Sequence, residues 1–407
     1  MTALAHLRRG SSGTQQLFKL QSACAFFQCH ESSFVPKRVL IFKKISRYQI
    51  EKNSNPQLNE SELKHKLVSG GANYDAIKAV HYRTKETELR VVKALADLDI
   101  SFKIRNRYNV DVDIIAWADL ILPIGGDGTF LMASNLIRNN TKPIIGINSD
   151  PEFSEGFLML PSKYTNLIDE IFEKLKSGHF KHLMRSRIRT TLHGEDIWQV
   201  PFHLHDKNSS SPQEKFYESH HNLIKPKGDL PKSRHLPWLA LNEVFIGESL
   251  SAKISILHIH LGNENIQKVK CSGMCITTGT GSSSWYRAIN YLNPQTVEDV
   301  LRMAGCKDNY SSEDVKKICS DFNAQLQYPA EQPILSYVIR DMIINQVWPS
   351  SDCLLPRGFC NTISVRSQCS DGELVIDGGI AVHWNIGTMA VFEILEQDAL
   401  KNITLLD

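Results

Sequence analysis

Gly125-Gly126-Asp127-Gly128-Thr129 is the run in this chain best suited to chemistry. Glycines allow positive φ and let a phosphate approach main-chain N–H groups. A helix opening directly behind them would favour negative charge. The aspartate conflicts with simple anion binding, because it repels phosphates unless a cation or a proton transfer gives it a role. Two roles fit: Asp127 accepts the proton of an attacking hydroxyl, or it helps organise Mg2+ beside the phosphates. The plain alternative is an ordinary Gly-Asp turn.

Three further runs carry polar groups in useful company. Asn242 and Glu243 interrupt the apolar run Ala240-Leu241-Asn242-Glu243-Val244-Phe245-Ile246. Strand neighbours point to opposite faces, so at least one is expected inside. A buried carboxylate needs donors, which a ribose diol supplies, and an amide can both give to and accept from an adenine edge. Thr277-Thr278-Gly279-Thr280-Gly281-Ser282-Ser283-Ser284-Trp285 combines flexible glycines, hydroxyls and an aromatic ring able to wall a base pocket. Val375-Ile376-Asp377-Gly378-Gly379 holds an Asp-Gly pair, read here as a turn.

The elements that must position these runs follow from hydrophobic pattern. Arg38-Val39-Leu40-Ile41-Phe42 reads as a buried strand, and residues 119–124 as another ending at the glycines. Asn53, Asn55, Pro56 and Asn59 mark a loop; Leu89, Val92, Leu95 and Leu98 mark one helical face; Phe102 and Ile104 a half-buried strand. Leu131, Ser134, Leu136 and Ile137 allow a helix, residues 143–147 the next strand, and Tyr164 to Leu175 an amphipathic helix stopped near Gly178. Strands alternating with helices predict a parallel α/β sheet, Rossmann-like but without Gly-x-Gly-x-x-Gly, since residues 43–48 contain no glycine. After Arg185 alternating runs at 187–192 and 253–259, with strands expected at 239–246 and 390–395, predict a mainly β second domain. The expected domains are 37–184 and 185–407, with residues 206–234 as a mobile loop, 296–326 as a helical insertion, and the final residues able to return to the first domain.

Composition limits the classes open to the chain. Its 407 residues are 42% hydrophobic, enough for two domains with real cores. With 46 basic against 44 acidic side chains, the net charge of +2 carries no nucleic-acid signature. No apolar run approaches the roughly 20 residues that span a bilayer. The 9 cysteines lack metal-site spacing, Cys271 and Cys275 included, so free thiols and no structural metal are expected. Residues 1–36 carry Arg8, Arg9 and Lys19 ahead of the first acid, Glu31, in the pattern of a mitochondrial presequence.

The glycine run resembles a signature shared by NAD kinases, diacylglycerol and sphingosine kinases and their phosphofructokinase relatives. Alone it implies only phosphoryl transfer. Asn242-Glu243 resembles the Asn-Glu strand of NAD kinases, residues 277–285 their Thr-Pro-Thr-Gly-Ser-Thr-Ala-Tyr loop, and Asp377-Gly378 their C-terminal Asp-Gly. Pro143–Asn148 and Ser154–Leu158 also match. Gly279, Ser284 and Trp285 stand where the family has Pro, Ala and Tyr. The longer 150–155 loop, the insertion and the presequence-like start are similar to the mitochondrial branch of the NAD kinase family.

That resemblance implies transfer of the ATP γ-phosphoryl to the adenosine-ribose 2′-hydroxyl of NAD+, with Asp127 as base. It implies Gly128, Asn242, Glu243, Ser283, Ser284 and Trp285 at NAD+. It implies Gly125, Gly126, Gly128, Thr129, Thr280, Gly281 and Ser282 at ATP, with Mg2+ entering on the nucleotide. Lys43 and Lys44, at the end of the first strand, are candidates for the phosphates. A homodimer in the mitochondrial matrix is expected, with no nucleic-acid or membrane partner. A lipid kinase with the same glycine run, and a dinucleotide-binding protein without activity, are the alternatives.

Overall fold

The computed structural model describes residues 32–204, 225–262, 265–306, 309–344 and 355–406. Most of the presequence-like segment and of the 206–234 stretch lies outside the described residues. The N-terminal half is built on a sheet in the spatial order Ser101–Arg105, Arg38–Lys43, Leu120–Gly125, Pro143–Ile144, Leu400–Leu405, Phe180–Arg185. Its first five strands run parallel and the last antiparallel, and Ile147–Asn148 continues the pairing beside Leu120–Gly125. Both faces are covered, which is why its strands read as continuous apolar runs. Val39, Ile41, Leu120, Leu122 and Ile124 pack against helices Tyr74–Asp97 and Ile168–Lys176. Leu40, Phe42, Ile121 and Ile144 pack against Phe130 and Ala133, and Leu241 of the second half joins that core.

Two antiparallel sheets make up the rest. One runs Arg357–Cys360, Leu335–Arg340, Gly273–Thr277, Glu243–Glu248, Gly372–Ile376, Ile380–His383, Phe202–His203. The other runs Gln267–Cys271, Ser255–Leu261, Thr362–Ser367, Met389–Ile394, Ile188–His193, Ser233–His235. Their inner faces share one core that includes Ile188, Val244, Ile246, Leu257, Ile276 and Phe392. Helices Pro294–Met303 and Ser312–Ala324 form the insertion, the first opening on Pro294. Among the described residues no helix is long and apolar enough to cross a membrane.

Four local readings change. Helices Arg47–Ser54 and Glu60–Ser69 flank the stretch expected as loop, with Asn55 and Asn59 as their caps. The helix through Leu89 is real, but its buried face is Thr84, Thr87, Glu88, Val91, Ala94 and Leu95, while Leu89 and Leu98 are exposed. Residues three apart turn about 60° short of a full helical circuit, so four of them cannot share one face. The 206–234 stretch is not loop throughout, because Ser233–His235 is an edge strand paired with Ile188–His193. The strand near Asn242 begins only at Glu243, so the alternation rule does not apply across the pair and both residues are buried.

Candidate active site

The central strand Leu120–Gly125 delivers the glycine run to the carboxyl edge of the sheet, where ligand crevices of such folds lie. Gly126 caps helix Asp127–Ser134, and Asp127 is its first residue. None of Gly125, Gly126 and Gly128 has positive φ, so conformational freedom is not their use here. A Cβ on Gly125 would strike the Thr129 side chain and press on Lys44, and one on Gly126 would strike Ser154 Oγ. A Cβ on Gly128 would meet nothing, since this position is exposed.

Asp127 is held from across the crevice. Its Oδ1 accepts from the Leu158 N–H at 2.9 Å and its Oδ2 from the Phe157 N–H at 3.1 Å. The loop supplying those groups is fixed by Asn148 Nδ2 donating to Ser154 O and by the Arg83–Asp150 ion pair. Beside Asp127 runs a groove of 480 Å³ lined by Lys43, Lys44, Arg107, Gly126, Thr129 and Phe153. Lys43 is committed to buried Glu88, at 3.1 Å, whereas among the described residues no such ion pair claims Lys44. A smaller cavity of 110 Å³ adjoins it, lined by Phe42, Gly128, Met132, Asn135, Trp238 and Asp377.

The Asn-Glu pair and the 277–285 loop form one unit. Thr277 Oγ1 donates to Asn242 O at 2.8 Å and Thr278 Oγ1 to Leu241 O at 2.6 Å. Asn242 Nδ2 donates to Ser284 Oγ at 3.3 Å. Gly281 has no room for a side chain, because Asn242 O and Thr277 Oγ1 occupy that space. Gly279 is excluded likewise by the Pro329 backbone on the return from the insertion, which accounts for the glycine at this position. Ser282 is buried, giving its hydroxyl to Gly279 O and receiving from the Tyr328 N–H. Ser283 bonds back to Thr280 O, and Trp285 is exposed with its ring beside Phe245.

Arg185 ties this unit to strand Leu400–Leu405 of the first sheet. Its Nε donates to Asn402 Oδ1 at 2.7 Å and its Nη1 to Thr280 Oγ1 at 3.3 Å. Burial pushes its pKa down to about 10, opposed by the charges of Glu331 and Asp127. Arg187 is fully buried and donates to the carbonyls of Asp398, Ser134, Ile137 and Asn139. It thereby caps the carboxyl end of the Asp127 helix, where the macrodipole favours a cation. Sequence reasoning missed both residues. The signal available was three arginines at alternate positions, 185, 187 and 189, which in extended chain share one side.

Acceptors with no hydrogen-bond partner among the described residues collect here: Asn135 Oδ1, Asn242 Oδ1 and Glu243 Oε2. Burial, helped by the negative charge of Asp377, pushes the Glu243 pKa up to about 8. Asp377 was expected as a turn residue. It does turn the hairpin, with φ 48°, but its half-buried carboxylate also accepts from the N–H groups of residues 241–243. Its pKa is pushed up to about 6 by burial, against those bonds. Among the described residues no three His, Cys, Asp or Glu side chains could together hold a metal.

The arrangement offers a carboxylate at a helix start, cations beside it in the groove, and buried acceptors without a partner among the described residues. The model of the ATP-NAD kinase N-terminal domain matches residues 48–175. NAD kinase 2, mitochondrial, of Rattus norvegicus is 36% identical over 382 residues, covering 92% of this chain and 89% of that protein. The Homo sapiens protein of the same name is 36% identical, over 92% and 86%. A crystal structure of yeast NADH kinase complexed with NADH has a similar fold, with TM-score 0.53 at 12% identity over 91% of this chain and 83% of that one.

Proposed function

The chain belongs to the NAD kinase family and phosphorylates NAD+ at the expense of ATP; we propose that Asp127 is the general base on the adenosine-ribose 2′-hydroxyl. The carboxylate takes the hydroxyl proton, the ribose oxygen bonds to the γ-phosphorus, and the bond from that phosphorus to the β–γ bridging oxygen breaks. NADP+ and ADP leave. The observation that carries this reading is convergence. Arg185 bonds to Thr280 of the second domain while lying within electrostatic reach of Asp127.

Glu243 and Asn242, with their unmet acceptors, would take ribose hydroxyl and adenine donors of NAD+. Gly128, Ser283, Ser284 and Trp285 complete that side. Gly125, Gly126, Gly128, Thr129, Thr280 and Gly281 line the ATP side, and buried Ser282 serves it by shaping the loop. Lys44 and Arg185 supply positive charge for the phosphates. The donor set suits Mg2+ carried on the nucleotide better than a protein cage, with Asp127 a carboxylate lining the groove and able to assist. When bound, the metal would neutralise charge on the phosphoryl oxygens. The named relatives are mitochondrial enzymes, which supports a mitochondrial location. The matrix, reached through residues 1–36 as presequence, and a homodimeric assembly are finer parts of the same proposal.

NADP+ formation from NAD+ and ATP by the purified chain tests the reading. Asp127→Asn should keep NAD+ affinity and lower kcat by roughly 10²–10⁴-fold. A variant with near-normal kcat would remove Asp127 from the role of base.

A further inference from the structure

The hairpin between strands Gly372–Ile376 and Ile380–His383 needs left-handed backbone at Asp377 and Gly378, with φ of 48° and 64°. Asparagine would serve such a turn as well as aspartate. A turn does not require the carboxylate to fold back onto backbone donors, and here the half-buried Asp377 does so. Oδ1 accepts from the N–H groups of Asn242 at 2.8 Å and Glu243 at 3.2 Å. Oδ2 accepts from the Leu241 N–H at 2.9 Å and from Asn135 Nδ2 at 3.3 Å. Leu241 and Asn242 precede the strand Glu243–Glu248, so its ladder does not supply their acceptors. Leaving such donors without an acceptor is costly to the fold.

The four donors come from two places. Three lie on the segment that carries Asn242 and Glu243, and the fourth, Asn135, follows directly on the helix that Asp127 begins. We propose that Asp377 is a positioning residue, setting Asn242 and Glu243 for the acceptor ribose and tying them to the Asp127 helix so that base and ribose share one frame. This rests on the NAD+ reading of Asn242 and Glu243. Asp377 touches no reacting atom; it acts through the backbone of one partner and the side chain of the other.

The two ties predict different kinetics. Asp377→Asn turns one acceptor into an NH2 group facing N–H donors, so the set of bonds cannot persist. KM for NAD+ should rise by at least about ten-fold while KM for ATP stays within about two-fold. Asn135→Ala cuts the tie to the helix, and the acceptor it also removes, Asn135 Oδ1, is not one of the groups assigned to NAD+. NAD+ affinity by calorimetry should stay within about two-fold while kcat falls at least about five-fold. Simple loss of folded enzyme would lower kcat alone in Asp377→Asn, leaving both KM values unchanged, and that result overturns the proposal. So does a folded Asp377→Asn enzyme with wild-type KM for NAD+. If Asp377→Asn does not fold, Asn135→Ala decides, and wild-type kcat there overturns the proposal. A wild-type chain that makes no NADP+ defeats the NAD+ reading instead, which keeps the two failures apart.

Discussion

Glu243→Gln should strengthen the fold and weaken NAD+ binding, with the first effect growing as pH rises. The Glu243 carboxyl has its pKa pushed from 4.5 to about 8, chiefly by burial and secondly by Asp377. An acid whose pKa is raised in the fold holds its proton more tightly there than in the unfolded chain. Folding is therefore most favourable below the unfolded value, and stability is lost as pH climbs from 4.5 towards about 8. At about 1.4 kcal/mol per unit, the loss at pH 7 is roughly 3 kcal/mol. Glutamine has no charge to bury, so it escapes this loss. Urea denaturation of both proteins from pH 4.5 to 7 should show the gap in unfolding free energy widening by roughly 3 kcal/mol. A gap constant across that range would refute the argument, because Glu243 would then not be titrating inside it. Binding gives a second reading of the same group. Ribose hydroxyls donating to Glu243 favour its ionised form, so NAD+ binding at pH 7 should release up to about one proton. Calorimetry in buffers of different ionisation enthalpy would measure this, and Glu243→Gln should release none from this site.

Arg187→Met leaves four buried carbonyls without their cation and should lower unfolding free energy by on the order of 4 kcal/mol in urea. Lysine should not rescue it, lacking the planar fork that reaches several acceptors at once. Gly281→Ala places a methyl against Asn242 O and should weaken NAD+ binding by at least about ten-fold, read by calorimetry. Gly128→Ala meets no atom and lies in a helix, so it should stabilise by up to about 1 kcal/mol while raising KM for the nucleotide whose groove it narrows.

Strands Arg38–Lys43 and Leu120–Gly125 were readable because strands buried on both faces become short unbroken apolar runs. The glycine run at the carboxyl end of the second was readable for the same reason. Helix Glu60–Ser69 was not, although Asn59 and Glu62 form a capping box visible in the sequence; Asn55 and Pro56 beside it read more loudly as loop. Asp377 and Arg187 take their meaning from partners more than a hundred and about fifty residues away, and an Asp-Gly pair looks like a turn whatever its carboxylate meets. Gly279 stands where the resembled loop has Pro, and nothing in the sequence accounts for it. Only the packed Pro329 backbone shows why no ring or methyl fits there.

Strand Leu400–Leu405 lies inside the first sheet, between Pro143–Ile144 and Phe180–Arg185. The sheet that presents Asp127 therefore stays incomplete until residues 400–405 have left the ribosome. Among the described residues Phe180–Arg185 pairs in the sheet only through that strand, and Arg185 leans on its Asn402. The N-terminal half cannot complete this sheet ahead of the second, as a domain made of consecutive residues would. A frameshift ahead of residue 400 would thus remove an interior strand of the half that carries Asp127.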